Sequence, residues 1–167
     1  VPKMTIKIGI NGFGRIGRCI LRSLKNERDI EVCLINDLTD AKTLAHLYKY
    51  DSVHGKAQQQ VDHKDNALVV DGKIIPITAV RNPAEIPWAA NGIDIVLECT
   101  GLFTDGDKAA AHIKAGAKKV ILSAPGKSID KTIVIGVNDS EYDINKHNIV
   151  SNGSCTTNCL APLTKVI

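Results

Sequence analysis

Three glycines near the start of the chain have the spacing G-x-G-x-x-G, at Gly12, Gly14 and Gly17. They follow a short β-branched run that predicts a strand and precede apolar residues at helical spacing, which is the context this motif requires. There, Gly12 permits a tight turn, Gly14 lets the backbone approach a pyrophosphate, and Gly17 lets helix and strand pack closely. The spacing predicts a dinucleotide-binding loop, and the alternative is a glycine-rich structural turn.

A single carboxylate follows the next predicted strand. Asp37 stands 20 residues after Gly17, at the end of a second apolar run. A carboxylate in that place can accept hydrogen bonds from the 2′-hydroxyl of an adenosine ribose. Asp37 therefore predicts NAD rather than NADP as the cofactor.

Cys155 has the surroundings of a nucleophile. It follows a predicted strand, opens a predicted helix and lies between two hydroxyl residues, Ser154 and Thr156. The positive end of a helix dipole stabilises a thiolate, so this placement predicts a reactive sulfur. The hydroxyl groups of Ser154 and Thr156, with nearby amides, predict a phosphate site in the same neighbourhood. The other thiols are predicted to be buried packing residues, namely Cys19, Cys33, Cys99 and Cys159.

Two further patterns carry no predicted function. Gly126, Lys127 and Ser128 resemble the end of a phosphate-binding loop, but Ile121 stands where that motif requires glycine. The five histidines have no metal-ligand spacing and no C-x-x-C pair accompanies them, so no metal site is predicted. Each histidine is predicted to be a surface or loop residue.

The elements that position these residues alternate between strands and helices. Strands are predicted over residues 5–10, 29–35, 93–97, 120–122, 132–137 and 148–151, and helices over about 15–24, 40–48, 105–115 and 154–167. Asp71 and Gly72 between two β runs predict a hairpin, while residues 51–66 have no predicted structure. The whole pattern predicts a doubly wound, mostly parallel, Rossmann-like α/β sheet with one small inserted hairpin.

Two of these helices have apolar positions that are expected to be buried. In the first helix the predicted stripe consists of Ile16, Ile20, Leu21 and Leu24. In the last helix it consists of Leu160, Leu163 and Ile167, and Pro162 is expected to bend that helix without ending it. Because no glycine or cap closes the last helix, we expect a fragment: an NAD-binding domain over residues 1–153 and the first helix of a catalytic domain over 154–167.

Composition restricts the class of protein. The 167 residues suffice for about one domain, a hydrophobic content of 44% argues against disorder, and no apolar run is long enough for a membrane span. The net charge of +3 comes from scattered basic residues, and the six aromatic residues lie outside basic segments, so nucleic-acid binding is not predicted. Five cysteines without a secretory signal predict a reducing, cytoplasmic setting.

Four stretches together resemble a known family. They are I-G-I-N-G-F-G-R-I-G at residues 8–17, Y-D-S-V-H-G at 50–55, E-C-T-G-L-F at 98–103 and S-C-T-T-N-C-L-A-P at 154–162. The chain resembles the N-terminal half of the phosphorylating glyceraldehyde-3-phosphate dehydrogenase family. This implies a glycolytic homotetramer that uses NAD and inorganic phosphate to convert glyceraldehyde 3-phosphate to 1,3-bisphosphoglycerate through a thioester on a cysteine.

The resemblance also assigns roles to individual residues. It makes Cys155 the nucleophile, with Ser154 and Thr156 at a phosphate site. The implied cofactor contacts are Arg15 and Ile16 at the pyrophosphate, Asp37 at the adenosine ribose, Arg81 on the adenine side, and Thr100 and Ser123 at the nicotinamide half. It places the catalytic histidine and the asparagine that holds the nicotinamide carboxamide beyond Ile167, so little activity is expected from these residues alone.

Three alternatives remain open at this point. Erythrose-4-phosphate dehydrogenase shares the architecture and much of the motif around the cysteine, and semialdehyde dehydrogenases have a similar nucleotide domain. A noncatalytic fragment that binds NAD or senses thiol oxidation is the third alternative, because an exposed low-pKa thiol is easily oxidised.

Overall fold

A computed structural model describes residues 5–167. The strands are β1 (Ile6–Asn11), β2 (Ile30–Asn36), β3 (Tyr50–Asp51), β4 (Gly55–Lys56), β5 (Val61–Lys64), β6 (Ala67–Val70), β7 (Lys73–Thr78), β8 (Ile95–Glu98), β9 (Lys119–Leu122), β10 (Lys131–Thr132) and β11 (Ile149–Ser151). The helices are α1 (Arg15–Ser23), α2 (Ala41–Lys49), α3 (Gly106–Lys114) and α4 (Cys155–Val166), and 3-10 turns occupy Leu24–Asn26, Pro83–Glu85 and Asp139–Glu141.

Nine of the strands form one twisted sheet in the order β10-β11-β9-β8-β1-β2-β7-β6-β5. Pairing is parallel from β10 across to β7 and antiparallel among β7, β6 and β5. The chain runs outward from β1 through β2 and later returns on the other side of β1 as β8, so the strand order reverses there. In open α/β sheets the ligand crevice lies at this switch point, outside the carboxyl ends of the strands. The predicted doubly wound fold with its inserted hairpin is confirmed.

Local turn and cap signals act as the sequence predicts. Asp71 and Gly72 join β6 to β7 with φ values of 51° and 80°, the left-handed conformation that a two-residue hairpin turn requires. The Asp40 carboxylate accepts a hydrogen bond from the Thr43 amide at the start of α2. Asp105 caps α3 in the same way, so each of these helices begins where a short acidic side chain satisfies a free amide.

The core depends on one close approach between a strand and an aromatic ring. Trp88 is fully buried, and a Cβ atom at Gly9 in β1 would lie 2.4 Å from Trp88 Cζ3. A second buried cluster joins β1, β2 and α2, with Phe13 stacked on Tyr48. Among residues 5–167, no helix is both long enough and apolar enough to cross a lipid bilayer.

The predicted strand over residues 132–137 is wrong beyond Thr132. Asn138 Oδ1 accepts a hydrogen bond from the Val134 amide at 2.8 Å, and Asn138 Nδ2 donates to the Thr132 carbonyl. These bonds fold the segment into a turn, because the asparagine side chain takes backbone groups that a strand ladder would need. The unassigned residues 51–66 hold β4, β5 and part of β3.

The predicted burial of two helix faces is only partly correct. Leu21 is buried, but Ile16 is 46% exposed, and Ile20 and Leu24 are half-buried. Along α4 the whole predicted stripe is exposed, with Leu160, Leu163 and Ile167 at 60%, 57% and 97%. Helical spacing defines a common face, but it does not determine whether another element covers that face. The helix does continue through Pro162, as predicted.

Candidate functional site

The glycine loop lies at the switch point of the sheet, between β1 and α1. Gly12 has φ +91°, and a Cβ atom there would lie 2.8 Å from Thr100 Cγ2. A Cβ atom at Gly17 would lie 2.4 Å from the Gly12 carbonyl oxygen, whereas Gly14 has no neighbour within 4 Å of its Cβ position. Gly12 and Gly17 are therefore required for packing, and Gly14 leaves the backbone open to a ligand at the N-terminus of α1.

A cleft of about 410 Å³ opens beside this loop, along the carboxyl ends of β1, β2 and β8. We call this space the nucleotide cleft. Its walls include Gly12, Gly14, Asp37, Arg81 and Thr100, which are five of the predicted cofactor contacts. The structure thus groups Thr100 with Asp37 and Arg81. It places Ser123, the other predicted nicotinamide contact, in a different pocket.

Asp37 is oriented by the glycine loop itself. Its Oδ2 accepts a hydrogen bond from the Phe13 amide at 2.7 Å, and its Oδ1 accepts one from the Thr39 amide at 2.9 Å. Each carboxylate oxygen has a second lone pair, so the group retains acceptor capacity toward the cleft. The residue directly follows β2, where the glycine-loop motif expects an acidic side chain.

Arg15, the first residue of α1, is held by a buried carboxylate. Its Nη1 lies 2.7 Å and 3.0 Å from the two carboxylate oxygens of Asp51, whose Oδ1 also accepts the Val53 and His54 amides. The pKa of Asp51 is held well below its usual range, chiefly by the bonds from those two amides and to a smaller extent by the bond from the Arg15 guanidinium. The pair attaches the loop between β3 and β4 to the start of α1, a contact that the sequence did not predict.

A second pocket, of about 330 Å³, contains the candidate nucleophile. Its walls include Ile16, Ser123, Ser154 and Cys155. Cys99 borders both this pocket and the nucleotide cleft, so the two spaces are adjacent. Burial raises the pKa of the Cys99 thiol to about 12, which leaves it protonated and unreactive. Cys155 is exposed at the first position of α4.

The turn that presents Cys155 is fixed by side chains that sequence reasoning missed. Ser151 is buried; its hydroxyl donates to the Ala124 carbonyl at 2.6 Å and accepts the Gly153 amide at 2.9 Å. Asn158 Nδ2, one helical turn after Ser154, donates to the Asn152 and Ser154 carbonyls. Only the placement of Asn158 four residues after Ser154 could have indicated this clamp.

The hydroxyl groups predicted to hold phosphate form one cluster at the start of α4. Ser154 Oγ accepts the Thr157 amide at 3.0 Å as the helix cap, and it lies 2.7 Å from Thr156 Oγ1. Gly153, which precedes them, has φ +73°. The predicted burial of Cys159 is wrong, because this residue lies on the exposed side of α4.

The prediction that every histidine is a surface or loop residue is wrong for His112. This residue lies in α3, is fully buried, and is hydrogen-bonded to Trp88 and to the buried carboxylate of Glu98. Neither Glu98 nor His112 was predicted to have a role, since each sits within an ordinary strand or helix pattern. Within residues 5–167, no group of three or more His, Cys, Asp or Glu side chains is arranged to hold a metal ion.

A mostly parallel sheet with a glycine turn at its switch point, an adjacent cleft and an acidic residue at the end of the next strand defines a dinucleotide-binding domain. Comparison with known proteins places it more narrowly. Residues 6–106 match the family described as "Glyceraldehyde 3-phosphate dehydrogenase, NAD binding domain". The chain belongs to the glyceraldehyde-3-phosphate dehydrogenase family, and its cofactor is NAD.

Individual relatives agree with this assignment. Glyceraldehyde-3-phosphate dehydrogenase of Geobacillus stearothermophilus is 57% identical over 164 residues, which cover 98% of this chain and 49% of that protein. The protein of the same name from Pseudomonas aeruginosa is 56% identical over 167 residues, covering 98% of this chain and 50% of the relative. The chain therefore spans about half the length of the curated relatives it matches.

Proposed function

We propose that the whole protein is an NAD-dependent, phosphorylating glyceraldehyde-3-phosphate dehydrogenase of glycolysis, in which Cys155 is the nucleophile. One observation carries the proposal: the nucleotide cleft and the Cys155 pocket are adjacent, because Cys99 borders both of them. A hydride acceptor in the cleft and a thiol in the pocket could then act on the same carbon atom. When bound, NAD supplies the two-electron acceptor for that step.

The proposed reaction forms and breaks one bond to sulfur. The Cys155 thiolate attacks the aldehyde carbon to give the oxyanion of a hemithioacetal. Loss of hydride from that carbon, as the oxyanion re-forms the carbonyl group, gives a thioester. An oxygen of inorganic phosphate then attacks the thioester carbonyl, and the thiolate leaves. The aldehyde is oxidised by two electrons and is released as an acyl phosphate.

The residues of this chain have distinct proposed roles. We propose that Asp37 binds the adenosine ribose, that Ser154 and Thr156 contribute to a phosphate site, and that Ser123 faces the nicotinamide side. Arg15 and Ile16, at the open start of α1, would meet the pyrophosphate. Arg81 would border the adenine side of the cleft, and Thr100 would lie toward the nicotinamide half. We further propose that residues up to 153 form the NAD-binding domain and that α4 begins the catalytic domain.

The experiment is an assay of NAD reduction by the full-length protein, with an intact-mass measurement of the same sample. We expect reduction that requires both glyceraldehyde 3-phosphate and inorganic phosphate. Reduction that does not depend on phosphate would refute the phosphorylating step. A higher kcat/KM with erythrose 4-phosphate would favour the related dehydrogenase instead, and sedimentation velocity tests the proposed homotetramer.

A further inference from the structure

Glu98 is the last residue of β8, and only 1% of its surface is exposed. All of its hydrogen-bond partners are donors. Oε2 accepts from Asn11 Nδ2 at 2.6 Å and lies 2.7 Å from His112 Nε2, while Oε1 accepts from the Thr100 amide at 2.8 Å and from the Thr100 hydroxyl. The group therefore joins four donors from three separate segments of the chain, although it does not itself border the cleft.

The proton on His112 is assigned by the tryptophan beside it. Trp88 Nε1 lies 3.0 Å from His112 Nδ1, and an indole N–H can only donate. His112 Nδ1 is therefore the acceptor, so the ring proton is on Nε2 and points at Glu98. Both side chains are fully buried, which fixes this donor in place.

One side of the cleft is aligned by Glu98 through two asparagines. The Val80 amide donates to Asn36 Oδ1 and the Val80 carbonyl accepts from Asn36 Nδ2, which fixes the orientation of that amide group. Asn36 Nδ2 also donates to Asn11 Oδ1 at 2.8 Å, so Asn11 must turn its own Nδ2 toward Glu98. Asn11 and Asn36 are in register on neighbouring strands, and both border the cleft.

The opposite side of the cleft is aligned through Thr100. Its amide and hydroxyl both donate to Glu98, and the same hydroxyl accepts the Leu102 amide at 3.1 Å. Thr100 and Leu102 border the cleft. One buried carboxylate thus connects the β1–β2 side of the cleft to the segment that follows β8.

We propose that Glu98 is a positioning residue for NAD, which holds Asn11 and Thr100 in the arrangement that binds the nucleotide and is itself held by His112. The proposal depends on NAD being the cofactor and does not depend on the chemistry proposed for Cys155. Glu98 acts through residues that border the cleft and does not itself border it.

Glutamine cannot replace this carboxylate. Its NH2 group would face either Asn11 Nδ2 and His112 Nε2 or the Thr100 amide, so at least one donor would meet a donor. The Asn11 side-chain amide cannot flip, because its oxygen would then no longer accept the bond from Asn36. His112 cannot adopt the other tautomer, because a proton on Nδ1 would face the Trp88 N–H donor. A buried donor left without an acceptor is unfavourable, and a shift of its segment toward another acceptor would relieve that cost.

The first test measures the NAD Kd of the full-length protein by calorimetry, for wild type, Glu98→Gln and Val120→Ala. Val120 is a fully buried residue of β9 that borders neither pocket, so its truncation reports the effect of lost stability alone. We expect the Kd of Glu98→Gln to rise roughly tenfold, because the competent arrangement becomes a minority state. Val120→Ala, with its own melting temperature lowered, should keep the wild-type Kd.

A second pair of variants decides the question if Glu98→Gln does not fold. His112→Gln retains a terminal N–H donor toward Glu98, whereas His112→Leu has a similar size and no donor. We expect a near wild-type Kd for His112→Gln and a rise of severalfold for His112→Leu. Equal Kd values in this pair would overturn the proposal.

The remaining outcomes separate the proposal from the cofactor assignment. A folded Glu98→Gln variant with wild-type Kd would overturn the positioning role, and so would equal increases in Glu98→Gln and Val120→Ala. Wild-type protein that fails to bind NAD would refute the cofactor assignment itself, and the positioning role with it.

Discussion

The Asp37 carboxylate accepts a hydrogen bond from the backbone amide of Phe13 at 2.7 Å, and this bond ties the end of β2 to the glycine loop. The residue proposed to bind the ribose therefore also shapes the turn proposed to bind the pyrophosphate. Both parts of the proposed nucleotide site therefore involve this one side chain.

Replacing Asp37 by asparagine should weaken NAD binding. The amide removes the negative charge and turns an NH2 group toward either the Phe13 or the Thr39 amide. Since a hydrogen bond to a charged group contributes about 1.5–3 kcal/mol, we expect the NAD Kd to rise roughly 10- to 100-fold. Calorimetry checks this, with Asp62→Asn, an exposed carboxylate of β5, as the matched control. An unchanged Kd would remove Asp37 from the site.

Replacing Cys155 by serine should abolish turnover and leave NAD binding intact. A serine hydroxyl is a far weaker nucleophile than a thiolate, so we expect NAD reduction by the full-length protein to fall by roughly three orders of magnitude or more. Steady-state kinetics and an NAD titration test the two halves of this prediction. Cys159→Ser, one helical turn away, is the matched control and should retain activity. Activity that persists in Cys155→Ser would place the nucleophile elsewhere.

Stability should decrease in acid in a way that depends on Asp51. The pKa of this carboxyl is lowered in the folded chain, so its contribution is fully present above the unfolded pKa of about 3.9 and is lost as the pH falls toward the folded value. We expect Asp51→Asn to be less stable than wild type at pH 7, and the difference to narrow below about pH 4. Urea denaturation midpoints measured between pH 7 and pH 2.5 report this.

The control for acid stability is Asp65→Asn, at an exposed turn position with φ +48° that asparagine tolerates. This variant should follow the wild-type pH dependence. If Asp51→Asn also showed the wild-type pH dependence, the bonds from His54, Val53 and Arg15 to this carboxylate would not be a cause of the loss of stability in acid.

Replacing Gly72 by alanine should destabilise the inserted hairpin through backbone strain alone. No atom lies within 4 Å of its Cβ position, but its φ of +80° is unfavourable for residues with a side chain. We expect a loss of about 1 kcal/mol in unfolding free energy, measured by urea denaturation. Gly72→Asn should lose less, because asparagine adopts this conformation more readily. Equal losses would point to a cause other than φ.

The local features of the fold could be predicted from the sequence because they depend on neighbouring residues. The Asp71–Gly72 turn, the Asp40 cap and the glycine loop each require particular backbone conformations that few residue types adopt. Alternating strands and helices then restrict the architecture to a few parallel arrangements. The candidate residues Asp37 and Cys155 followed from their places at element ends.

Contacts between distant segments could not be predicted in this way. Whether Ile16 or Leu160 is covered depends on which elements pack over them, and spacing along one helix carries no such information. Arg15 meets Asp51 only because the β3–β4 loop folds back against α1.

The sequence by itself determined a dinucleotide-binding domain with a thiol at the start of a helix, because glycine spacing, cap residues and strand periodicity express local backbone preferences. Only the tertiary structure decided that Glu98, Asn11, Thr100 and His112 share one buried network. Their partners are set by the register of β1 against β8 and by the placement of α3 beside them, and burial requires each polar group brought there to find a partner.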